Sequence, residues 1–267
     1  KDLLLYHSDA RKKLVTFKEY IEKLDEKAPI LYGCGETVEK ISMLPQLEGA
    51  RSAGKDVLYF TEPVDEFIAR LLNDYAGHKF ENIASGKDGA PQVSDGHKQL
   101  LDKIASKLKG KASVCATDKL KSYPVCLAAK GDVSLEMERV MDAMGGGVKA
   151  ERVLQVNLDH PVISALENAD DSRFDDTVTV LYNEALIAEG YKTEPEFLAA
   201  INRLLAVGAT AEKAPKPTAK ADKADGDANI EKTAGGTGKT VKADGDAKKT
   251  PTAKKAKPAE KSDDEKK

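Results

Sequence analysis

Ile30-Leu-Tyr-Gly-Cys-Gly-Glu-Thr-Val-Glu-Lys40 decides the reading of the first half of the chain, and Val57-Leu-Tyr-Phe-Thr-Glu-Pro-Val-Asp-Glu-Phe67 repeats its plan. In each, a short apolar run gives way to a turn and then to residues at helical spacing. A run that is apolar at every position and too short for a helix reads as a strand buried on both faces. The first helix extends from Thr37 to about Ala53, interrupted or restarted at Pro45 and closed by Gly54. Pro63 opens the next, with Val64, Phe67, Ile68, Leu71, Leu72 and Tyr75 on one face. Upstream, Thr16-Phe-Lys-Glu19 is a capping-box signature. Downstream, Lys79-Phe-Glu-Asn-Ile83 reads as a third strand. Strands alternating with helices predict a small parallel sandwich, a three-layer αβα subdomain over residues 1–90.

Ser85 to Gly96 is rich in Gly, Asp and Ser and reads as a linker. Beyond it the pattern changes to an α+β domain over residues 91–208. A helix at His97–Lys109 precedes strands at Ser113–Thr117 and Tyr123–Ala128, a helix from Ser134 to Met144, and a strand at Glu151–Asn157. Asp159-His-Pro161 starts a short helix, and two longer ones, Asp175–Glu189 and Glu194–Val207, close the domain as a helical hairpin. Residues 209–267 read as a disordered Lys/Ala/Asp-rich tail. From Ala211 on there are 15 Lys, 11 acidic residues and only Ile230 and Val241 as bulky aliphatics, so a core cannot form. Its Lys-Ala-Asp-Gly-Asp-Ala hexamer, at 223–228 and again at 242–247, marks low complexity.

Composition excludes several classes. No apolar run approaches the roughly 18 residues needed to span a bilayer, and no signal peptide opens the chain. Cys34, Cys115 and Cys126 are odd in number and lack CxxC spacing, which fits a reducing cytoplasm rather than a disulfide framework or thiolate zinc site. The chain begins at Lys1 inside an apolar run, Leu3-Leu-Leu5, and reads as a fragment of something longer. Gly33-Cys34-Gly35 follows a strand and precedes a helix, but Val38 stands where a dinucleotide fingerprint needs its third glycine. It reads as a plain βα turn. Gly235-Gly-Thr-Gly-Lys-Thr240 lacks the first glycine of a phosphate loop and its strand–helix setting. His7, His78, His97 and His160 share no ligand spacing, so no metal site is expected.

Two apolar features remain. Met137, Met141 and Met144 lie on one helical face, either as core filler or as an adaptable surface that fits many apolar partners. The last two helices carry stripes at Val178, Leu181, Tyr182, Ala185 and Leu186, and at Phe197, Leu198, Ile201, Leu204 and Leu205. Either the domain body covers them or a second copy does, in a four-helix bundle across a two-fold axis.

The two opening segments, with Tyr123-Pro-Val-Cys-Leu127, Met137-Glu-Arg-Val-Met141, Asp159-His-Pro161 and Leu181-Tyr-Asn-Glu-Ala-Leu186, together resemble the bacterial 90-kDa heat-shock chaperone family of the HtpG type. The resemblance runs in order from Leu3 to Gly208. It implies the end of the middle segment followed by the C-terminal dimerisation domain of an ATP-dependent chaperone. By that resemblance the final helix pair joins two protomers, and Val133, Leu135, Met137, Met141 and Met144 contact unfolded or partly folded clients. The family's ATP site would lie before Lys1, which implies no enzymatic activity and no cofactor in this fragment, ATP and Mg being expected for the full-length chaperone. The stretch Gly131-Asp-Val-Ser-Leu135 lacks the Trp that some relatives place there. The chain ends Asp263-Asp-Glu-Lys-Lys267, with neither the MEEVD of eukaryotic cytosol nor KDEL. A cytoplasmic homodimer is expected, with no membrane or nucleic-acid partner. The rival readings are a small α/β enzyme using Gly33 and Gly35 as a phosphate turn, and a nucleic-acid binder acting through the tail, whose interleaved acids and lack of aromatics argue against it.

Overall fold

Thr16 ends a strand and begins a helix. Its Oγ1 accepts from Glu19 N–H at 3.1 Å while the Glu19 carboxylate accepts from Thr16 N–H at 2.8 Å, closing the box that fixes α1 (Phe17–Ile21). The computed structural model of the chain describes residues 1–86 and 91–211. Before α1, β1 (Leu5–Ser8) and β2 (Lys13–Thr16) pair antiparallel as a hairpin, with Lys12 at φ 52° in its turn. The apolar runs form β3 (Ile30–Cys34) and β4 (Leu58–Phe60), parallel to each other with Tyr32 opposite Leu58. Between them lie α2 (Val38–Ser42) and α3 (Leu47–Ser52), with Pro45 in the break. After β4 come α4 (Asp65–Leu72), β5 (Asp74–Tyr75) and β6 (His78–Asn82).

The sheet order is β2-β1-β4-β3-β6-β5. This corrects the expectation of a parallel sandwich. Only β3 pairs in parallel, with β4 and β6; β1, β2 and β5 join antiparallel. The hairpin escapes a search for apolar runs because β1 alternates, with Tyr6 and Ser8 buried, Leu5 exposed and His7 between. Alternation along β3 sends Ile30 and Tyr32 to one face and Leu31 to the other. The first face packs an aromatic cluster, with Tyr32 stacked on Phe60 at 4.5 Å and Tyr6 on Phe17 at 4.9 Å. The second face packs Leu31, Val57 and Tyr59 against Ile41, Leu44 and Leu47.

Past residue 90, α5 (Asp95–Leu108), β7 (Ser113–Ala116), β8 (Val125–Lys130), α6 (Leu135–Ala143), β9 (Glu151–Val156), α7 (Pro161–Leu166), α8 (Asp171–Ala188) and α9 (Phe197–Ala211) follow. β9 is the central strand, parallel to β7 and antiparallel to β8. α8 starts four residues earlier than its apolar periodicity indicates, because Asp170 accepts from Arg173 N–H at 3.0 Å and caps it. Gly208 does not stop α9, which continues to Ala211. All described residues fall within one compact unit, residues 1–215. The tail from 212 on, its hexamer repeat and the Gly235 segment lie outside the described residues.

Candidate functional site

Within this unit, residues 1–86 and the segment from residue 91 on meet at polar contacts. Gln46, the N-cap residue of α3, donates from Nε2 to Leu127 O and to Glu189 Oε1, both at 2.6 Å. The Glu48 carboxylate accepts from the backbone N–H groups of Lys121 and Ser122 at 2.7 and 3.1 Å. A cleft of about 540 Å³ opens between β6 and α4 on one side and Gly131, Val133 and Ser134 on the other.

Glu66 is the buried charge of that cleft, 1% exposed. Its carboxylate accepts from Tyr32 OH at 3.2 Å, from Asn82 Nδ2 at 3.4 Å and from Ser134 Oγ, with the Arg70 guanidinium 3.6 Å away. The α4 face assigned from sequence holds for Leu72 and Tyr75, which pack with the aromatic cluster, and is corrected elsewhere. Asp65, Glu66 and Ala69 point inward, while Val64 and Leu71 are exposed, Leu71 at 87%. The carboxylate's donors come from β3, β6 and the α6 cap, elements remote in sequence, so no local pattern marks Glu66 as an inward residue. The signal that could have found it is two adjacent acids, Asp65 and Glu66, opening a helix wedged between buried strands.

α6 is anchored at its start and in its middle. Ser134 caps its start, accepting from Met137 N–H at 3.0 Å. Glu138, 1% exposed, accepts from Arg152 Nη2 at 2.8 Å, Ala150 N–H at 3.2 Å and Tyr191 OH at 3.3 Å. Arg139 pairs with Glu136 and faces Glu189 at the end of α8; beside it Gly190 turns the chain at φ 76°, a left-handed conformation that favours glycine. Burial pushes the Glu189 carboxyl up to about 7, although the Gln46 hydrogen bond and Arg139 oppose the rise. Burial likewise pushes the Cys126 and Cys34 thiols up, so neither is a poised nucleophile.

The residues assigned to client contact divide. Leu135 is 3% exposed in the domain core, which removes it from that surface; it is the inward residue of the first turn of α6. Val133 lines the cleft, Met137 and Met141 are half-buried, and Met144 is 77% exposed. The two stripes also divide. Val178, Leu181, Tyr182, Ala185 and Leu186 all lie in the core with α5, β8 and β9. They are covered by their own domain, so the interface assigned to them is corrected to core packing. On α9, Phe197, Ile201 and Leu204 are half-buried, whereas Leu198 and Leu205 are 68% and 65% exposed. Arg203 grips Asp176 of α8 through two bonds of 2.6 and 2.8 Å, and Ala200 is fully buried, which fixes the outward rotation of α9.

The Gly33-Cys34-Gly35 turn is filled. A Cβ at Gly33 would lie 3.0 Å from Ile83 Cδ1 and one at Gly35 2.8 Å from Ile41 Cγ1, while Gly35 N–H donates to Phe60 O. The histidines serve locally: His7 stacks on Tyr59, the His78 ring hydrogen-bonds Ala28 O, His97 lies 3.6 Å from Glu167, and His160 caps α7. Among the described residues no three His, Cys, Asp or Glu side chains group as metal holders.

Comparison with known proteins gives a family and its relatives. The family model described as Hsp90 protein matches residues 1–235. The chain is 40% identical over 210 residues to the Chaperone protein HtpG of Bacillus licheniformis, covering 73% of this chain and 34% of that one. It is 40% identical over 210 residues to the Chaperone protein HtpG of Halalkalibacterium halodurans, covering 73% and 33%. For the protein of the same name from Clostridium perfringens the identity is 38% over 207 residues, again covering 73% and 33%. The chain thus spans about a third of the length of these relatives. The family match over residues 1–235 overturns two expectations, that this chain has no enzymatic activity and that no cofactor concerns it. The Gly33–Gly35 turn, filled by Ile83 and Ile41, does not fit a nucleotide.

Proposed function

The chain belongs to the Hsp90 family, and from that premise we propose that it supplies the end of the middle segment and the C-terminal dimerisation domain of an HtpG-type, ATP-dependent chaperone. In this reading two copies join through α9, and the methionine face of α6 with the adjoining cleft contacts unfolded clients in the cytoplasm. Among the described residues no helix is long and apolar enough to cross a membrane.

The observation that carries the reading is the outward apolar face of α9. Leu198, Ile201 and Leu205 fall at i, i+3 and i+7, one side of the helix, and two of the three are more than 60% exposed although α9 packs firmly on α8. A second α9 across a two-fold axis covers that face with itself, and each leucine then meets the same stripe of its mate. The interface is narrower than a four-helix bundle built from both stripes, because α8 faces its own core. Met144, with Gly145-Gly-Gly147 behind it, offers a flexible thioether at the open end of α6, suited to apolar segments of differing shape.

Sedimentation equilibrium at micromolar concentration tests the reading. The unmodified chain is expected at twice its chain mass. Leu205→Glu is expected as a folded monomer, since the position is exposed in one copy and the charge becomes buried only in the pair. A monomeric unmodified chain, or a Leu205→Glu variant that stays dimeric, overturns it.

A further inference from the structure

The Ser134 hydroxyl has one hydrogen to give and lone pairs to accept with, and both are used. Its oxygen accepts from Met137 N–H at 3.0 Å, capping α6, while its hydrogen goes to Glu66 Oε2, 68 residues away in sequence. The other oxygen of Glu66 is held by Tyr32 of β3 and Asn82 of β6, and Arg70 sits one turn further along α4. The carboxylate is thereby fixed by three elements of the body formed by residues 1–86. A hydroxyl that donates to a carboxylate is the stronger acceptor for it, so the tie and the cap reinforce each other.

We propose that Glu66 and Ser134 are positioning residues for client capture: the buried carboxylate on α4 holds the hydroxyl that caps the methionine-bearing helix, and so sets the client-facing side of α6 against the cleft. The proposal rests on the client-contact reading of α6. Gly131, Val133 and Ser134 form one wall of the cleft, β6 and α4 form the other, and Met137 leaves the first turn of α6 immediately beyond. With the tie intact, cleft and methionine face are already in register. With it broken, binding must first order them, and that ordering entropy is subtracted from affinity.

The role separates from a purely structural one by variants that keep the cap and change the tie. Ser134→Asp keeps an oxygen for Met137 N–H but sets a second carboxylate against Glu66. Ser134→Asn keeps the capping oxygen and offers an amide N–H to Glu66. Binding is read by fluorescence anisotropy of labelled, reduced and carboxymethylated α-lactalbumin on the full chain, with hydrogen exchange at the amides of residues 137–140. Ser134→Asp is expected to weaken the Kd about tenfold, the loss of roughly one charge-assisted hydrogen bond, and to speed exchange in the first turn of α6. Ser134→Asn is expected within about twofold of the unmodified chain on the same scale. An Asp variant that binds as tightly as the unmodified chain, or an Asn variant as weak as the Asp one, overturns the proposal. If Ser134→Asp does not fold, Ser134→Ala decides instead: its loss of affinity is expected to be smaller in a Glu66→Gln background than alone, and equal losses overturn the tie. Met141→Ser separates this proposal from the reading beneath it. If Met141→Ser weakens binding and the Ser134 variants do not, only the tie fails. If the unmodified chain does not bind the probe, or Met141→Ser binds as tightly as it does, both fail.

Discussion

Replacing Glu189 by Gln is expected to stabilise the folded chain above neutral pH and to leave it nearly unchanged near pH 4. Glu189 is the C-cap of α8, where its carboxylate accepts from Gln46 Nε2 at 2.6 Å. The charged and titratable groups around it are Arg139 and Glu136 on α6, Cys34 on β3, Cys126 on β8 and Tyr191 just beyond it. Burial dominates and lifts the folded carboxyl from its ordinary 4.5 to about 7. A raised carboxyl pKa means that the folded state holds its proton over a range in which the unfolded chain has lost it. Stability from this group is therefore complete below pH 4.5 and is lost as pH rises through 7. The full span corresponds to about 3 kcal/mol, at about 1.4 kcal/mol per pH unit. Gln keeps the acceptor for Gln46 and never ionises. Urea unfolding of both proteins from pH 4 to pH 8.5 gives the difference directly, and contributions from all other carboxylates cancel in it. The variant should gain up to about 3 kcal/mol across that range. A difference that is flat with pH, or a variant less stable than the parent at pH 8, refutes the reasoning.

Leu181→Ala should cost about 2–5 kcal/mol whatever the protein concentration, since Leu181 is core rather than interface; a loss that vanishes on dilution would return it to the interface. Asp9, 4% exposed, accepts from both arms of Arg51 at 2.8 and 2.9 Å and from Tyr59 OH at 2.6 Å, so Arg51→Ala should cost about 2 kcal/mol in denaturant melts. The Arg51 fork holds the Asp9 carboxyl well below its ordinary value, and this loss should shrink as pH falls below about 4, where the unfolded chain takes up the proton that the fold refuses. Met141→Ser should weaken anisotropy-measured binding of an unfolded client at least threefold while lowering stability by less than about 1.5 kcal/mol, because Met141 is only half-buried.

The strands β3 and β4 and the start of α1 were legible because their signals are local: apolar runs bounded by turns, and a cap whose partners stand three residues apart. The β1–β2 hairpin was not, since alternation over four residues with His and Ser in it resembles a loop. α4 departs from its sequence pattern for a physical reason. Its apolar positions give a convincing stripe, yet the inward side is set by Glu66, whose donors lie on β3, on β6 and ahead of α6. A buried charge is visible only when its partners are, and of those of Glu66 only Arg70, one turn on, is within reach along the chain. The stripes of α8 and α9 look alike in sequence. What distinguishes them is the β7-β9-β8 sheet, which covers α8 and leaves Leu198 and Leu205 outside. The Met face is similar: helical spacing groups the three methionines, but Met144 stands at the C-cap, past the last turn of α6, and is exposed where Met137 and Met141 are half-buried.

Isotope-filtered nuclear Overhauser spectra on a mixture of methyl-labelled and unlabelled chains test the central claim most directly, because they report contacts between copies and nothing else. Pairing through α9 gives intermolecular cross-peaks from the methyl groups of Leu198 and Leu205, and none from Leu181 or Leu186, which stay within their own core. Cross-peaks from the α8 leucines, or none from α9 in a sample whose mass is that of a dimer, contradict the account.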